Sequence, residues 1–283
     1  MPSKPPGNEA TMRLGIVTIP RPTDDGTILG RVIDFVRKVE ALRFSGLWVT
    51  DAFARGRPTL DPLVLLAAAC AETSAIELGT CVVQIPLRHP VEHAHRVQSL
   101  HLLSGGRLRF GVGSGSTRAD FDAVQADYDA RFKTLPRYLD IMRRTWNGES
   151  VFGPALTPWP GTEGGPPVLL GAWRNARWIR LAAETCQGWI ASGIFSEWDD
   201  LEAGLNIYRA AGGKRAVLAN VFTDLRAEPH PNPTAEKAKI SLYCPPAEAR
   251  RRLQRLEQLG FDDALLVCRF DAPEQLETVR ALM

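Results

Sequence analysis

SLHLLSGGRLRFGVGSG, residues 99–115, holds the end of an apolar helix face, a strand and a glycine-rich turn in direct succession. Gly105 and Gly106 allow the positive φ at which helices often stop. Leu108–Val112 alternates apolar and other residues with the period of two that is typical of a strand. The turn that follows, residues 113–116, exposes backbone N–H groups and two serine hydroxyls, so it is either a plain tight turn or a cradle for an anion such as phosphate.

The rest of the chain repeats this alternation of strand and helix. Apolar runs predict eight strands, at 14–19, 46–50, 76–83, 108–112, 168–170, 189–191, 216–222 and 264–267. Apolar residues at helical spacing predict helices at 28–42, 60–71, 91–103, 135–146, 176–185, 198–211, 247–259 and 273–282. Eight apolar strands, each followed by a helix, favour an α/β fold of the parallel (β/α)8 or TIM-barrel type, because its strands are buried on both faces. A doubly wound open sheet is the alternative, but Thr18–Pro22 lacks the Gly-x-Gly-x-x-Gly turn expected after its first strand.

Composition narrows the class of protein and its partners. The chain has 283 residues, 45% of them hydrophobic, and a formal net charge of +2 without long runs of one sign, so neither nucleic acid nor a membrane is an expected partner. The five cysteines are scattered and odd in number, which favours a reducing, cytoplasmic location over a disulfide framework or a zinc site. We expect a flexible tail at 1–11 and one barrel domain at 12–283, with a proline- and glycine-rich excursion at 147–167.

Candidate site residues follow from position, because the site of such a barrel lies at the carboxyl ends of its strands. Asp51 is the carboxylate at the end of the second strand, where a catalytic role and a capping role are both open. Arg131 and Arg174 are cations that could reach a phosphate at the 113–116 turn. No metal site is expected, since Pro90 places His89 outside the helix that holds the other histidines. An anion cradle with few acid or base groups is the pattern expected when a cofactor carries the chemistry.

Several motifs together resemble a known family, the bacterial-luciferase-like flavin-dependent monooxygenases. The resemblance is specific from Phe44 to Glu149 and weaker through Pro167–Gly193 and Gly260–Asp262. The motifs that carry it are FSGLWVTD at 44–51, DPL at 61–63, LGT at 78–80, HPV at 89–91, LSGGR at 103–107 and GVGSG at 111–115.

The resemblance implies a TIM barrel that binds reduced FMN or, in one branch, the deazaflavin coenzyme F-420. The ring would lie at the carboxyl mouth, the phosphate near the fourth and fifth barrel strands, and a non-prolyl cis peptide within Cys81–Gln84. Matching positions on the phosphate side are Ser114, Gly115, Ser116, Arg131, Arg174 and Asn175. Matching positions on the ring side are Asp51, Thr80, Val82, Ala191 and Ser192.

The function predicted from this resemblance is that of an oxidoreductase, with a monooxygenase as the first hypothesis. It would take reduced FMN from a separate flavin reductase, use O2 on a small, hydrophobic organic substrate, and form a homodimer. Phe53, Trp173 and Phe195 are the expected substrate-pocket side chains. Ala52 stands where the family commonly has histidine, and His101 where it usually has aspartate. The motifs resemble the F-420 branch equally, so an F-420-dependent reductase or dehydrogenase is an alternative, and Ala52 with the few acid or base groups keeps a non-catalytic flavin-binding barrel as another.

Overall fold

A computed structural model describes residues 11–20, 28–226 and 228–282. Within these ranges the strands are β1 (Arg13–Thr18), β2 (Gly46–Val49), β3 (Glu77–Thr80), β4 (Val83–Gln84), β5 (Leu108–Gly113), β6 (Val168–Gly171), β7 (Gly188–Ser192), β8 (Ala216–Asp224), β9 (Ser241–Tyr243) and β10 (Asp263–Val267). The helices are α1 (Ile28–Ala41), α2 (Pro62–Ala71), α3 (Pro90–Leu103), α4 (Arg118–Ala123), α5 (Arg131–Trp146), α6 (Ala176–Thr185), α7 (Trp198–Ala210), α8 (Pro233–Lys237), α9 (Pro246–Leu259) and α10 (Gln275–Arg280). A single 3-10 turn, Ile85–Leu87, follows β4.

The strands form a closed parallel barrel. Neighbours run in the order β1, β2, β3, β5, β6, β7, β8, β10, and β10 pairs in parallel with both β8 and β1. This closure confirms the predicted TIM barrel and excludes the open sheet. β4 pairs with the upper part of β5 and β9 with the upper part of β8, so both lengthen the wall at the carboxyl end.

The helix starts follow from local chemistry; α2 and α10 begin two residues later than predicted and α5 four residues earlier. α2 begins at Pro62, and the Asp61 carboxylate accepts hydrogen bonds from the N–H groups of Leu63 and Val64 at 2.9 and 3.1 Å, which are otherwise without partners in a first turn. α5 begins at Arg131 rather than at residue 135, because its first turn is too exposed to show an apolar period. The predicted strand at 76–83 is divided into β3 and β4 by residues 81–82. α4, α8 and β9 are additional, and each is too short for a periodic pattern.

One aromatic side chain dominates the inside of the barrel. Trp48 on β2 is fully buried there together with side chains from five other strands. A Cβ added at Gly79 would lie 2.1 Å from the Trp48 ring, and one at Gly15 or Gly46 would lie 3.0 or 2.9 Å from its indole nitrogen. Glycines on β1, β2 and β3 therefore make the space that the indole fills.

The amino-terminal end of the barrel is closed by an ion-pair network. Arg215 contacts Glu77 at 2.6 Å and Asp263 at 2.9 Å. Arg109 contacts Glu77 at 2.8 Å, and Arg13 contacts Asp263 at 2.7 Å. Burial alone raises the pKa of Glu77, but hydrogen bonds and charge from Arg215 and its neighbours outweigh burial and lower it. The floor of the barrel is thus a set of ionised, mutually paired groups.

Two segments outside the barrel wall were also predicted. The expected tail at 1–11 falls outside the described residues except for Thr11. The excursion at 147–167 contains neither helix nor strand, and its end packs tightly, because a Cβ at Gly165 would lie 2.3 Å from Trp146. In the described ranges, no helix combines the length and apolarity needed to cross a bilayer.

Candidate active site at the carboxyl mouth

The carboxyl ends of the barrel strands surround one opening, which we call the mouth. The peptide bond Cys81–Val82 at the end of β3 is cis, which confirms the expectation for Cys81–Gln84. A Cβ at Gly113 would lie 2.6 Å from Val82, and one at Gly171 would lie 3.0 Å from it. The two glycines at the ends of β5 and β6 therefore leave room for the Val82 side chain at the mouth.

Thr80 links two strands just below the mouth. Its hydroxyl is fully buried and donates to the carbonyl oxygen of Gly111 at 2.7 Å. A Cβ at Gly111 would lie only 1.8 Å from the Thr80 carbonyl oxygen. Close approach of β3 and β5 thus requires a glycine, and the Thr80 hydroxyl proton already has its acceptor.

Asp51 at the end of β2 is held by an arginine. Arg88 donates to both carboxylate oxygens, at 2.6 and 3.0 Å, and the backbone N–H of Gln84 donates to one of them at 2.9 Å. Burial lowers the pKa of Arg88, but hydrogen bonds and charge from Asp51 and Asp61 outweigh burial and raise it. The catalytic role stays a prediction, and the contacts add that Asp51 anchors the segment after β4.

A second buried carboxylate extends this network toward β5. Asp120 on α4 accepts from Arg55 at 2.7 and 3.0 Å, from the Gln84 amide at 2.9 Å and from the Ala54 N–H at 2.8 Å. Burial raises its pKa, but these hydrogen bonds lower it further than burial raises it. The loop after β2 is therefore tied to α4, immediately beyond the 113–116 turn.

The 113–116 turn has the backbone geometry of a cradle. Gly115 has a φ of +83°, which favours glycine, and a Cβ there would lie 2.7 Å from the Gln84 side-chain oxygen and from the Phe121 ring. That Gln84 oxygen is buried and accepts no hydrogen bond from the described residues. Ser114 is half-buried and Ser116 is exposed, so both hydroxyls are accessible to a ligand.

Arg131 lies beside this turn at the start of α5. Its guanidinium lies 3.7 Å from the centre of the Tyr128 ring and donates to the Tyr128 carbonyl oxygen at 2.8 Å. The Tyr128 hydroxyl donates to the Ser116 carbonyl oxygen at 3.2 Å, which connects Arg131 to the turn. Within the described ranges no carboxylate pairs with Arg131, and its Nε is buried without an acceptor. The cation is therefore available to an anion at the turn.

Arg174 and Asn175 lie between β6 and α6. The Asn175 side chain accepts from the N–H groups of Arg177 and Trp178 at 3.0 and 3.3 Å, so it is the N-cap of α6. The Arg174 side chain is 64% exposed and lies 4.0 Å from Asp200. Phe132 on α5 contacts Trp178, with ring centres 6.1 Å apart, so the first turns of α5 and α6 lie side by side.

The end of β7 offers fewer groups to the mouth than predicted. Ala191 is fully buried, and its methyl group packs in the core between the barrel and the helices. Its backbone can face a ligand, but its side chain does not. The Ser192 hydroxyl accepts from the Ile194 N–H at 3.3 Å.

Three aromatic side chains were predicted for the substrate pocket, and two of them meet. Trp173 after β6 stacks on Phe195 after β7, with ring centres 4.0 Å apart and planes 25° apart. Both rings are more than 40% exposed, so together they form an apolar face at the rim. Phe53 is 53% exposed and follows β2, which stands across the barrel from β7.

Two hollows elsewhere on the surface involve none of the predicted site residues. One of about 300 Å³ is bordered by Trp198 and by cationic side chains of α9. The other, of about 350 Å³, lies between His89, Phe152 and α5. Over the described part of the chain, no three His, Cys, Asp or Glu side chains converge as a metal site would require.

Most of the chain matches a known protein family. A family model described as luciferase-like monooxygenase matches residues 12–238. The chain belongs to the luciferase-like monooxygenase family. The chain is 34% identical over 197 residues to an uncharacterised protein of Mycobacterium tuberculosis, and the match covers 65% of this chain and 67% of that protein.

Two relatives with named activities match the chain over a shorter length. The 4-hydroxyprotoasukamycin monooxygenase of Streptomyces nodosus subsp. asukaensis is 34% identical over 44% of this chain and 34% of its own length. A putative coenzyme F420-dependent oxidoreductase of Mycobacterium tuberculosis is 29% identical over 59% of this chain and 54% of its own length. These relatives support an enzyme of the oxidoreductase class.

Solved structures share the fold over nearly the whole chain. A monooxygenase from Streptomyces bottropensis has a TM-score of 0.80 at 20% identity and covers 96% of this chain and 97% of its own. The FMN complex of the oxygenating constituent of 3,6-diketocamphane monooxygenase from Pseudomonas putida has a TM-score of 0.75 at 16% identity, with 96% of each chain covered. A coenzyme F420-dependent reductase from Methanopyrus kandleri has a TM-score of 0.73 at 15% identity and covers 96% of this chain and 98% of its own.

The residues at the mouth of this luciferase-like monooxygenase fit the phosphate end of a flavin-type cofactor. The fit rests on the uncompensated Arg131, its buried Nε without an acceptor, and a glycine turn with no space for a side chain. Sequence reasoning missed Arg88 and Arg55, the two cations that neutralise the buried carboxylates. Their only sequence signal is an arginine close after a predicted strand end.

Proposed function

We propose that this luciferase-like monooxygenase binds reduced FMN at the mouth of the barrel and oxygenates a small, apolar organic compound with O2. A separate flavin reductase would supply the reduced cofactor, because the chain has no nicotinamide-binding fingerprint. Reduced flavin, when bound, supplies the electrons that activate O2. The observation that carries the proposal is Arg131 beside the serine-lined 113–116 turn, a cation that pairs with no carboxylate among the described residues.

The chain's own part begins with binding the phosphate. Ser114 and Ser116 offer hydroxyl donors, Arg131 offers a charge without a carboxylate partner, and the amino-terminal end of the long helix α5 adds a favourable dipole. Arg174 is more exposed, so solvent screens its charge and its share is smaller. Val82, at the end of β3, would contact the ring of the cofactor.

The substrate would meet an apolar rim. The stacked Trp173 and Phe195 rings give a flat hydrophobic face next to the end of β7. Asp51 and Asp120 are each neutralised by an arginine, so neither adds a free negative charge. A neutral, hydrophobic or aromatic compound fits this rim better than a phosphorylated or acidic one.

Titration with cofactors tests the phosphate site. Wild type should bind reduced FMN more tightly than reduced riboflavin, and Arg131→Ala should weaken FMN binding by about 1.5 to 3 kcal/mol, the range for a hydrogen bond to a charged group. Arg137→Ala is the matched control, because Arg137 is an exposed arginine of the same helix. Equal affinity for FMN and riboflavin contradicts the proposal.

Oxygen chemistry needs its own measurement. Wild type is mixed with reduced FMN, a generic flavin reductase, NADH and a panel of apolar compounds under labelled O2. Incorporation of labelled oxygen into one compound supports the monooxygenase. Absence of incorporation, together with hydride transfer to or from F-420, supports the second candidate.

The second candidate is an F-420-dependent reductase or dehydrogenase. The relative and the solved structure that carry F420 in their names favour it, and a phosphate cradle serves either cofactor. Separate titrations with FMN and F-420 distinguish the two. A third candidate, a barrel that binds flavin without turnover, is motivated by Ala52 at the position after Asp51, and turnover of any compound removes it.

We also expect a homodimer, as the family resemblance implies. Val64 on α2 and Leu103 on α3 are 67% and 71% exposed, and a partner surface would cover such apolar side chains. Light scattering after gel filtration measures the mass, and a monomer at micromolar concentration contradicts the expectation.

A further inference from the structure

The wall of the barrel is irregular at one point on β8. Its pairing with β10 joins Leu218 to Ala264 and Val221 to Leu266, so the register shifts by one residue between these pairs. Ala219 and Asn220 therefore stand together opposite the single residue Leu265. An extra residue in one strand is a β-bulge, and bulges next to active sites often redirect a side chain.

Asn220 adopts an uncommon backbone conformation at this bulge. Its φ is +59°, in the left-handed region, which costs most residues about 1 kcal/mol or more and asparagine less. Asn220 is also the one residue of β8 that is not buried. Asn220 is thus a polar, half-buried residue with a left-handed backbone in a strand whose other residues are buried. Such a conformation often marks a functional site.

The surrounding side chains settle the side of the wall on which Asn220 is accessible. Leu218 and Val221 pack in the outer core, between the barrel and the helices, whereas Ala219 and Leu265 pack inside the barrel. The outer side is thus occupied, and Ala219 pairs with Ser192, the last residue of β7. The half-buried Asn220 thus stands level with the carboxyl end of β7, beside the mouth.

Near Asn220, the side chains at the mouth offer few other hydrogen-bonding groups to a ligand. Val82 and Val267 are apolar, and the Ser192 hydroxyl already accepts from a backbone N–H. A carboxamide carries a donor and an acceptor side by side. Its complement is an imide edge, in which an N–H group stands between two carbonyl groups.

We propose that Asn220 hydrogen-bonds the imide edge of the cofactor ring, an edge that FMN and F-420 share. This inference rests on the proposed function and adds the orientation of the ring. The phosphate lies at the ends of β5 and β6, and the imide edge lies at β8, farther round the mouth. Asn220 acts as a binding residue, and the bulge on β8 directs its amide to the ring.

The test combines a glycine variant with a modified cofactor. Asn220→Gly removes the amide and accepts a positive φ readily, so its thermal midpoint should equal or exceed that of wild type. Affinity for FMN should fall about tenfold, as the loss of one or two neutral hydrogen bonds predicts. Arg43→Gly is the control, because Arg43 has a φ of +57° and lies before β2, at the opposite end of the barrel.

The modified cofactor is FMN methylated on its imide nitrogen. Wild type should bind it about tenfold more weakly than FMN, and Asn220→Gly should bind both alike. Asn220→Asp keeps the shape and replaces the donor by a charge, so its FMN affinity should fall at least as far. Equal discrimination by wild type and Asn220→Gly overturns the inference and leaves the proposed function standing. Failure of wild type to bind FMN and F-420 refutes the proposed function and the inference with it.

Discussion

His93 on α3 should make this protein sensitive to mild acid. It is 1% exposed, its ring centre lies 5.7 Å from that of Phe110, and neither ring nitrogen has a hydrogen-bond partner among the described residues. Burial lowers its pKa to about 3, with further lowering by the charges of Arg88 and Arg96. The folded protein therefore holds His93 in its neutral form at any moderate pH.

The size of the effect follows from the difference in pKa between the folded and unfolded states. An unfolded histidine has a pKa near 6.5, so the stability tied to neutral His93 is fully present above that pH and falls as pH drops toward 3. The slope is about 1.4 kcal/mol per pH unit, which gives a loss of about 2 kcal/mol at pH 5 and, because folded His93 is itself half protonated there, about 4 kcal/mol at pH 3. His93→Leu removes this slope. It also removes two unpaired nitrogens, so it should be about 1 to 2 kcal/mol more stable than wild type at pH 8.

Urea unfolding at pH 8, 6.5 and 5, followed by circular dichroism, measures both effects. His95→Gln is the matched control, because His95 is exposed on the same helix and its substitution should leave the slope unchanged. Stability curves of wild type and His93→Leu that run parallel between pH 8 and 5 would show that folded His93 protonates normally. The burial argument would then be refuted.

Three further substitutions probe the floor, the turn and the network. Arg215→Met should lower the free energy of unfolding by about 3 kcal/mol, because it removes one partner of buried ion pairs. Arg251 is exposed, so Arg251→Met should lower it by less than about 1 kcal/mol in the same urea assay. Gly115→Ala should weaken FMN binding far more than Gly212→Ala. The two glycines have nearly equal φ, +83° and +84°, but only Gly115 has no space for a Cβ. Equal FMN affinities of the two variants in fluorescence titrations would contradict this. Asp51→Asn should lower turnover more than FMN affinity, and an unchanged rate would limit Asp51 to anchoring its arginine.

The sequence predicted the barrel because its strands leave a simple signal. A strand buried on both faces reads as a continuous apolar run, and each of the eight predicted runs, Val168–Leu170 among them, overlaps a barrel strand. Val83–Gln84 and Ser241–Tyr243 are strands of two and three residues, too short for any period to show. Their pairing depends on neighbours that are distant in sequence, so only the folded chain reveals it.

The sequence predicts which residues stand at the strand ends, but their contacts depend on the folded chain. Asn175 sits between a strand and a helix, where a capping residue and a phosphate ligand have the same sequence signature, and its oxygen is used as a cap. Ala191 follows the strand period into the outer core, which a family motif alone does not show. Asn220 is a polar residue in an apolar run, but its exposure depends on a one-residue shift between strands.

Trp48 limits which residues can replace glycines on three strands. Its indole occupies the volume that side chains at Gly15, Gly46 and Gly79 would need, so none of these glycines can grow while the tryptophan remains. A smaller residue at position 48 would instead leave a hole that only a larger residue on a neighbouring strand could refill. A Cβ at Gly46 would also meet the Glu77 carbonyl oxygen at 2.8 Å, and one at Gly15 the Leu265 side chain at 2.7 Å, whereas at Gly79 the nearest atoms all belong to Trp48. Among homologues we therefore expect positions 48 and 79 to co-vary, independently of the residues at the mouth.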